Sequence, residues 1–345
     1  MPLLDESSVV DYLRGRGVLG GGPATARALN GGVSNVVLAV TAAQDPTTGE
    51  PVRFVVKQAL PVLRVEDYWP APQHRVLAEA AALQWTNTHT PNWSPAVVDV
   101  DADQMVLTMA AADSSWQDWK AELLVGRADA GVARQLGAWL ADWHSASLNH
   151  DALPTRLRED REIVEVLRLQ PYHETVAQRR PDVSSAILAL TERIRATHLC
   201  LVHGDFSPKN VLLAPARRQD RACWVIDFEV AHVGDPVFDL AFAVTHLILK
   251  ATYRPEQAAA YDTALAALVD GYHRRIHPTL VGHRDDGYLS AQVGALLLAR
   301  VYGKSPVEYL SGNAKDHITA LGTRLLLDPV PDAAQIITQR RAHRV

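Results

Sequence analysis

The stretch LVHGDFSPKNVLL, Leu201–Leu213, places a polar segment between two apolar runs of the kind that form short buried strands. His203, Asp205 and Asn210 lie in this polar segment. A second acidic segment, VIDFEVAHVGDPVFDLA, continues another apolar run at Val225–Ala241. Because each polar group adjoins a run of strand character, we expect these side chains to meet at one rim of a small sheet.

The spacing of the polar residues suits phosphoryl transfer. That reaction needs a group that accepts or orients the proton of the acceptor hydroxyl, and oxygen ligands for Mg²⁺ at the nucleotide phosphates. Asp205 suits the first role. The amide of Asn210, five residues later, and the carboxylate of Asp227 suit the second, because Mg²⁺ prefers oxygen ligands. The pattern therefore favours phosphoryl transfer from a nucleotide, with Mg²⁺ held by oxygen ligands.

The N-terminal third has the character of an antiparallel sheet with one helix. Strand-like runs flank the turn NGGVSN, Asn30–Asn35, and are followed by VRFVVKQAL at 52–60 and a hairpin pattern at 96–111. A helical pattern covers 72–89, and most of the chain after residue 111 also has helical spacing. We expect an α+β, bilobal fold with a nucleotide-binding lobe at 1–110 and a larger, mainly helical catalytic and substrate-binding lobe at 111–345.

The predicted nucleotide-binding lobe supplies a positive charge for the nucleotide phosphates. Lys57 lies at the end of a strand-like run, and Glu79 follows 22 positions later on the predicted helix. A lysine that reaches the phosphates and is held by a helical glutamate is the arrangement that kinases use. The loop that includes Ser34 and Asn35 is predicted to cover the phosphates with its backbone N–H groups.

The two motifs at 202–213 and 225–241, in this order and separation, resemble those of the aminoglycoside phosphotransferase and choline kinase superfamily, which has a protein-kinase-like fold. The resemblance covers roughly residues 28–245. It implies ATP-dependent phosphorylation of a small-molecule hydroxyl, with Asp205 as the catalytic base. It also implies Asn210 and Asp227 as Mg²⁺ ligands, and it adds Glu229 as an acid that reaches the metals through water.

A narrower resemblance concerns the acceptor. The segment FVVKQALPVLRVEDYWPAPQHRVLAEAAAL at 54–83 resembles 5-methylthioribose kinases, in which a KQALP segment, a Trp-Pro pair and a helix with a glutamate occur in that order. The glycine-rich loop and the asparagine after HGD depart from that group. The small-lobe resemblance leads us to expect a sugar such as methylthioribose as acceptor. Because of these departures, an aminoglycoside or a choline-like amino alcohol stays open as the alternative. The scarcity of acids at 245–281 favours a neutral acceptor.

Other classes of function are less consistent with the sequence. A catalytically silent, kinase-like binding protein has no need of a catalytic base. The net charge of −5 gives no reason to expect nucleic acid or a membrane as a partner. No window approaches the ~20 apolar residues of a membrane helix, and no signal-peptide pattern is present. A cytoplasmic location is expected, whereas the sequence does not indicate the oligomeric state.

Several residues have structural interpretations. We expect His203 to hydrogen-bond the catalytic loop, Asp235 to order the loop that precedes the next helix, and Asp239 to cap or anchor that helix. The basic stretch QRRAHR at 339–344 is expected to be a frayed tail.

Overall fold

The computed structural model describes residues 2–29, 32–44, 51–66, 68–215, 221–283 and 287–342. The chain divides into two compact units, Met1–Trp116 with Trp224–Val230, and Gln117–Cys223 with Ala231–Val345. The segment Trp224–Val230 carries Asp227 and Glu229, so both acids belong to the first unit. The functions assigned above to lobes 1–110 and 111–345 stay predictions.

The first unit contains the antiparallel sheet that the sequence predicts. Its five strands have the order β1-β2-β3-β5-β4, and each neighbouring pair is antiparallel. The strands are β1 Ala24–Ala28, β2 Asn35–Gln44, β3 Pro51–Ala59, β4 Val97–Asp101 and β5 Val106–Ala110. The predicted turns at 30–35 and 44–51 fall partly outside the described residues.

Two helices complete the first unit: α1 Val9–Gly15 and α2 Arg75–His89. The start of the chain turns at Asp5, whose side chain accepts hydrogen bonds from the N–H groups of Ser7 and Ser8 at 2.9 Å each. Val9 and Leu13 then face the sheet and are fully buried. They pack in one cluster with buried residues of three strands, namely Leu38, Val40, Phe54, Val56 and Val106.

The second unit is mainly helical. Its helices are α3 Trp119–Leu124, α4 Ala130–Ala146, α5 Thr155–Glu159, α6 Glu162–Val164, α7 Thr175–Arg179, α8 Ser184–Ala196, α9 Pro236–Tyr253, α10 Ala258–His273, α11 Tyr288–Tyr302, α12 Asn313–Leu327 and α13 Ala333–Ala342, with a π-helix at Glu165–Glu174. Short strands lie at β6 Gln117–Asp118, β7 Cys200–Val202, β8 Val211–Leu213, β9 Cys223–Val225 and β10 His232–Gly234. β7 pairs with β10 and β6 with β8, both antiparallel.

Helix α9 is buried along almost all of its length, from Pro236 to Ala251. A helix that is apolar all round is expected in the interior of a large domain. Among the described residues, none of the helices combines the length and the apolar character needed to cross a bilayer.

Helices α4 and α10 approach closely at two glycines. A methyl group added at Gly137 would lie 2.0 Å from the carbonyl oxygen of Leu268, and one added at Gly271 would lie 2.3 Å from that of Arg134. Leu136 and Trp143 of α4 are fully buried. Glycine is therefore needed where the two backbones meet.

The expectation of a frayed basic tail is wrong for the described part of that stretch. Arg340 of α13 is buried, and its guanidinium donates to both oxygens of Asp262 in α10 at 2.8 and 2.6 Å. The Nε–H of Arg341 donates to the same carboxylate at 2.8 Å. This bidentate pair fastens the last helix to α10. The partner lies 78 residues earlier, so no local pattern indicates it.

The substitution Gly137→Ala tests the approach of α4 to α10. Alanine is the better helix former by about 1 kcal/mol, but its methyl group would overlap the carbonyl oxygen of Leu268 and push the helices apart. We expect a net loss of about 2 kcal/mol or more in the free energy of unfolding, measured by urea denaturation. Gly15→Ala in α1 is the control, because nothing lies within 4 Å of the added methyl group. An unchanged midpoint for Gly137→Ala would contradict the close approach.

Candidate active site

The first unit holds a buried lysine between two carboxylates. Strand β3 carries Lys57, whose Nζ donates to Oε1 of Glu79 in α2 at 2.7 Å and to Oδ1 of Asp227 at 2.7 Å. Burial opposes the charge of this ammonium group, but the carboxylates of Asp227 and Glu79 outweigh burial and raise the pKa of Lys57 above its ordinary value. The lysine is therefore charged and fixed in position.

Glu79 depends on that lysine for compensation. Its side chain is 1% exposed, and its Oε2 has no hydrogen-bond partner among the described residues. Burial raises the pKa of the Glu79 carboxyl, and the ammonium of Lys57 opposes the rise. The contact places the predicted lysine and glutamate together, whereas their roles toward ATP stay predictions.

Asp227 follows β9 in an unusual backbone conformation. Its φ is 71°, in the left-handed region that few residues other than glycine adopt. The strand that precedes it is anchored, since the N–H of Val225 donates to the carbonyl of Trp93 at 2.7 Å. The Asp227 side chain is 21% exposed, so its carboxylate can meet a solvated cation as well as Lys57. Backbone strain held in this way is common at functional sites.

Glu229 belongs to a hydrogen-bonded group with the loop before β2. Its Oε2 accepts from Nδ2 of Asn35 at 2.9 Å, and the same amide nitrogen lies 3.0 Å from Oγ of Ser34. Nε of Arg75 donates to this Oε2 at 3.2 Å. The structure thus ties Glu229 to the two loop residues predicted to lie near the phosphates.

Arg75 is a residue that the sequence does not single out. It stands at the first position of α2 and is fully buried. Besides Glu229, its guanidinium donates to the backbone carbonyls of Ser34, Leu60, Ala71 and Pro72. One side chain therefore joins the loop, the end of β3 and the start of α2. Most of its partners are backbone oxygens, which carry no signal in the sequence.

In the second unit, a buried carboxylate shapes the loop after β7. The N–H of His203 donates to Oδ2 of Asp239 at 2.6 Å, and the N–H of Gly204 donates to Oδ1 at 2.9 Å. Gly204 has a φ of 74°, which glycine adopts without cost. The ring of His203 accepts from the N–H of Asp205 at 3.1 Å, so the histidine hydrogen-bonds the loop as expected.

The expected roles of the two aspartates in GDPVFDLA are wrong and must be exchanged. Asp235 caps α9, since its Oδ1 accepts from the N–H of Val237 at 2.9 Å, and its Oδ2 accepts from the hydroxyl of Tyr288 at 2.6 Å. Asp239 lies one turn into the helix and holds the loop instead. The helix begins at Pro236, which makes the preceding residue the cap.

Asp239 is fully buried but keeps its charge. Burial raises the pKa of its carboxyl, yet His144, whose Nε2 lies 3.3 Å away, and His203 together with the loop N–H groups lower that pKa below its ordinary value. A carboxylate that accepts several hydrogen bonds is strongly stabilised in its charged form. The backbone of the loop after β7 is therefore held by the fixed negative charge of Asp239.

Asp205 is held by two cations. Its Oδ2 lies 3.0 Å from Nη2 of Arg168 and 3.1 Å from Nζ of Lys209. Nε of Arg168 also donates to the carbonyl of Gly204 at 2.5 Å. Arg168, another residue that sequence reasoning missed, lies on the π-helix, a form often found at functional sites. Nδ2 of Asn210 donates to the carbonyl of Asp205 at 2.9 Å, which leaves the amide oxygen of Asn210 to act as an acceptor or ligand.

The donor chemistry of the predicted ligands fits Mg²⁺. Within the described residues, no three or more His, Cys, Asp or Glu side chains are grouped so as to hold a metal by themselves. Mg²⁺ commonly takes only one or two protein oxygens and completes its shell with water and phosphate. The partly exposed carboxylate of Asp227 and the amide oxygen of Asn210 are such donors. Glu229 already engages one oxygen with Arg75 and Asn35.

Comparison with known proteins identifies the family. A model of the phosphotransferase enzyme family matches residues 25–276. The chain belongs to this family. The family resemblance that the two sequence motifs indicate is thereby confirmed.

Two curated proteins are similar to this chain in sequence. The methylthioribose kinase of Citrobacter koseri is 31% identical over 245 residues, 64% of this chain and 60% of that protein. The methylthioribose kinase of Cronobacter sakazakii is 30% identical over 237 residues, 61% of this chain and 58% of that protein. The chain therefore spans about three fifths of the length of these relatives.

Solved structures confirm the fold class. An amicoumacin kinase in complex with AMP-PNP and Ca²⁺ has a TM-score of 0.58 at 14% identity, over 96% of this chain and 97% of that chain. A microcompartment-associated aminopropanol kinase has a TM-score of 0.53 at 16% identity, over 95% and 100%. The predicted α+β class with a kinase-like fold is confirmed.

Replacing Lys57 by methionine leaves Glu79 buried without its cation. The pKa of Glu79 in the folded variant then lies above the unfolded value, so stability is greatest below the unfolded pKa and falls as the pH rises through the folded pKa. We expect Lys57→Met to lose about 3 kcal/mol in the free energy of unfolding at about pH 8, and less at about pH 5, relative to the wild type. Urea denaturation at the two pH values measures both losses.

The double variant with Lys57→Met and Glu79→Gln is the matched control. It lacks an ionisable group at position 79, so its loss of stability should differ little between the two pH values. The same loss at both pH values in the single variant would argue against a buried carboxylate that depends on Lys57.

Proposed function

We propose that this protein transfers the γ-phosphoryl group of ATP, with Mg²⁺, to a hydroxyl of a small molecule. The observation that carries the proposal is the Lys57 ammonium, held at 2.7 Å by both Glu79 and Asp227 in a chain of the phosphotransferase family. A buried lysine fixed by a helical glutamate is the device by which kinases hold nucleotide phosphates.

The first unit binds the nucleotide in this proposal. Lys57 contacts the phosphates, and Glu79 holds its ammonium in place. The backbone N–H groups of Ser34 and Asn35 cover the phosphates, and Arg75 fixes this loop through the carbonyl of Ser34. Asp227, together with Asn210 of the second unit, supplies oxygen ligands to Mg²⁺, and Glu229 reaches the metal through water. The bound Mg²⁺ neutralises charge on the phosphates.

The second unit supplies the base. Asp205 accepts the proton of the acceptor hydroxyl as the hydroxyl oxygen attacks the γ-phosphorus, and the bond from that phosphorus to the bridging oxygen of ADP breaks. Arg168 and Lys209 orient the Asp205 carboxylate through its Oδ2. The protonated Asp205 then releases its proton to solvent.

The acceptor in this proposal is any small molecule with a hydroxyl group. Methylthioribose is the first sugar to test, because the small lobe resembles methylthioribose kinases and the two curated relatives carry that name. Aminoglycosides and choline-like amino alcohols are the alternatives. A silent, nucleotide-binding protein is the competing class, and it predicts ATP binding without turnover of any acceptor.

Asp205→Asn tests the base. The amide keeps the size of the side chain and cannot accept the proton, so we expect kcat to fall by about 100-fold or more while the affinity for ATP stays within about twofold. Release of ADP across a panel of hydroxyl compounds measures kcat, and calorimetry with a nonhydrolysable ATP analogue measures binding. Asp151→Asn, on an exposed turn of the same unit, is the control. Equal turnover by Asp205→Asn and the wild type would show that Asp205 is not the catalytic base.

Asp227→Ala tests the metal ligand. Because the partly exposed carboxylate serves a cation rather than the core, we expect Mg²⁺-dependent turnover to fall by about 100-fold or more, with cooperative unfolding retained. Binding of Mn²⁺ in the presence of the ATP analogue, followed by electron paramagnetic resonance, should weaken in parallel. Loss of cooperative unfolding in this variant would show that Asp227 supports the fold instead.

A further inference from the structure

One face of α9 leads away from the loop that carries Asp205. Asp239, Phe242, His246 and Lys250 recur at intervals of three or four residues, so their side chains lie along one stripe of the helix. Asp239 holds the backbone of the loop at one end. Lys250 lies about 16 Å farther along the axis.

Lys250 is a buried amine without a carboxylate partner. Its side chain belongs to a residue that is 1% exposed. Its Nζ lies 3.4 Å from Nδ1 and 3.4 Å from the carbonyl oxygen of His246, and 3.5 Å from the hydroxyl of Tyr309. These are long contacts, and no carboxylate oxygen of the described residues lies within ion-pair distance of this amine. An ammonium group buried in this way is costly unless an anion joins it.

Arg300 of α11 adds a second cation of the same kind. Its Nη1 donates to the hydroxyls of Tyr172 at 3.1 Å and Ser305 at 3.2 Å, and its Nε is buried without a partner among the described residues. Burial, and then the positive charges of Arg300 and Lys120, lower the pKa of Lys250 to about 7, with Asp118 as the opposing charge. The positive charge of Arg300 therefore adds to the field that acts on Lys250.

His246 lies in the same positive field. Burial, followed by the charges of Lys250, Arg300, Lys209 and Lys120, lowers the pKa of His246 below its ordinary value. The ring also stacks at a tilt on Phe242, with 5.4 Å between centroids. Positive groups on α3, α9, α11 and the loop that carries Asp205 therefore act on His246, and a neutral imidazole can still donate one hydrogen bond.

Two aromatic rings connect this region to Asp205. The guanidinium of Arg168, which pairs with Asp205, lies 5.7 Å from the ring centroid of Tyr172 and 6.0 Å from that of Phe242. The guanidinium of Arg300 lies 5.8 Å from the same Tyr172 ring. One tyrosine thus contacts both the arginine that orients Asp205 and the arginine beside Lys250.

We propose that Lys250, His246 and Arg300 form an anion-binding subsite for the acceptor, so that the acceptor is a small hydroxyl compound that carries a carboxylate or phosphate group. This rests on the proposed function, in which Asp205 receives the hydroxyl. The anionic group supplies the charge that Lys250 and Arg300 lack, and the ring of Tyr172 contacts the guanidinium groups of both Arg168 and Arg300.

The charges discriminate among the acceptor classes. A polycationic aminoglycoside or an amino alcohol would bring a like charge to Lys250 and Arg300, which is unfavourable at close range. A neutral sugar would leave the buried amine unpaired. An anion joins both cations with charge-assisted hydrogen bonds. This result differs from the expectation of a neutral acceptor, which rested only on the scarcity of acids in the sequence.

Matched acceptors test the subsite by direct binding. The probes are glycerol, glycerate and glycerol 3-phosphate, and ribose, ribonate and ribose 5-phosphate, titrated by calorimetry into the wild type saturated with Mg²⁺ and an ATP analogue. We expect an anionic member of at least one series to bind tenfold or more tightly than its neutral member. The tighter of the carboxylate and the phosphate identifies the anionic group.

Proton uptake gives a second signature. At about pH 8 the Lys250 amine is mostly neutral, and a bound anion raises its pKa, so binding should take up a fraction of a proton approaching one. Titration in buffers of different ionisation enthalpy measures this uptake. Lys250→Met should lose both the uptake and the preference for anions, and it should unfold at no lower urea concentration, since an unpaired amine is removed. Lys315→Met in α12 is the control and should retain both.

Two results would overturn the subsite: neutral members that bind as tightly as the anionic ones in both series, or an anion preference that Lys250→Met retains. The kinase proposal fails separately. Anion binding that depends on Lys250, without phosphorylation of any probe, would support the subsite and refute the kinase. Phosphorylation of neutral acceptors with no preference for anions would support the kinase and refute the subsite.

Discussion

The carboxylate of Asp239 is the interaction on which the second unit's part of the site depends. It lies on a buried helix without access to solvent, and it accepts from two consecutive N–H groups of the loop that carries Asp205. Because α9 is packed on all sides, the carboxylate of Asp239 cannot move. It therefore fixes the position of the loop that carries Asp205. The same helix then carries Phe242, His246 and Lys250. One rigid element therefore sets both the position of the proposed base and the chemistry of the proposed acceptor subsite.

The two buried lysines, Lys57 and Lys250, differ in whether carboxylates compensate their charge. Lys57 is buried with two carboxylates, which keep it charged and fixed in the absence of any ligand. Lys250 is also buried, and among the described residues its amine has an imidazole, a carbonyl and a phenol at long distance. The first arrangement is complete in itself, as expected of a group that must be ready for the phosphates of a nucleotide. The second is incomplete, and an incomplete buried charge is stable in a folded protein only at a cost.

Local patterns explain what could be predicted. Strand alternation and helical spacing depend on neighbouring residues, so the sheet, the helical character of the chain after residue 111 and the contact between Lys57 and Glu79 could all be expected from the sequence. Arg75, Arg168 and Arg340 could not, because their partners are backbone oxygens or carboxylates far away in the chain. The roles of Asp235 and Asp239 were exchanged for a related reason, since the residue that caps α9 depends on where that helix begins.

The family motifs and the stripe of α9 carry different information. The motifs contain the groups that act on phosphate and on the acceptor proton, and these groups serve any acceptor hydroxyl. Counting acids at 245–281 treats all positions as equal, although they differ in burial. Placed on the helix, one position in that interval matters most: Lys250 is buried, and Arg300 from α11 adds to its positive field. The sign of the acceptor's charge is therefore better inferred from which charges lack compensation than from how many charges the sequence contains.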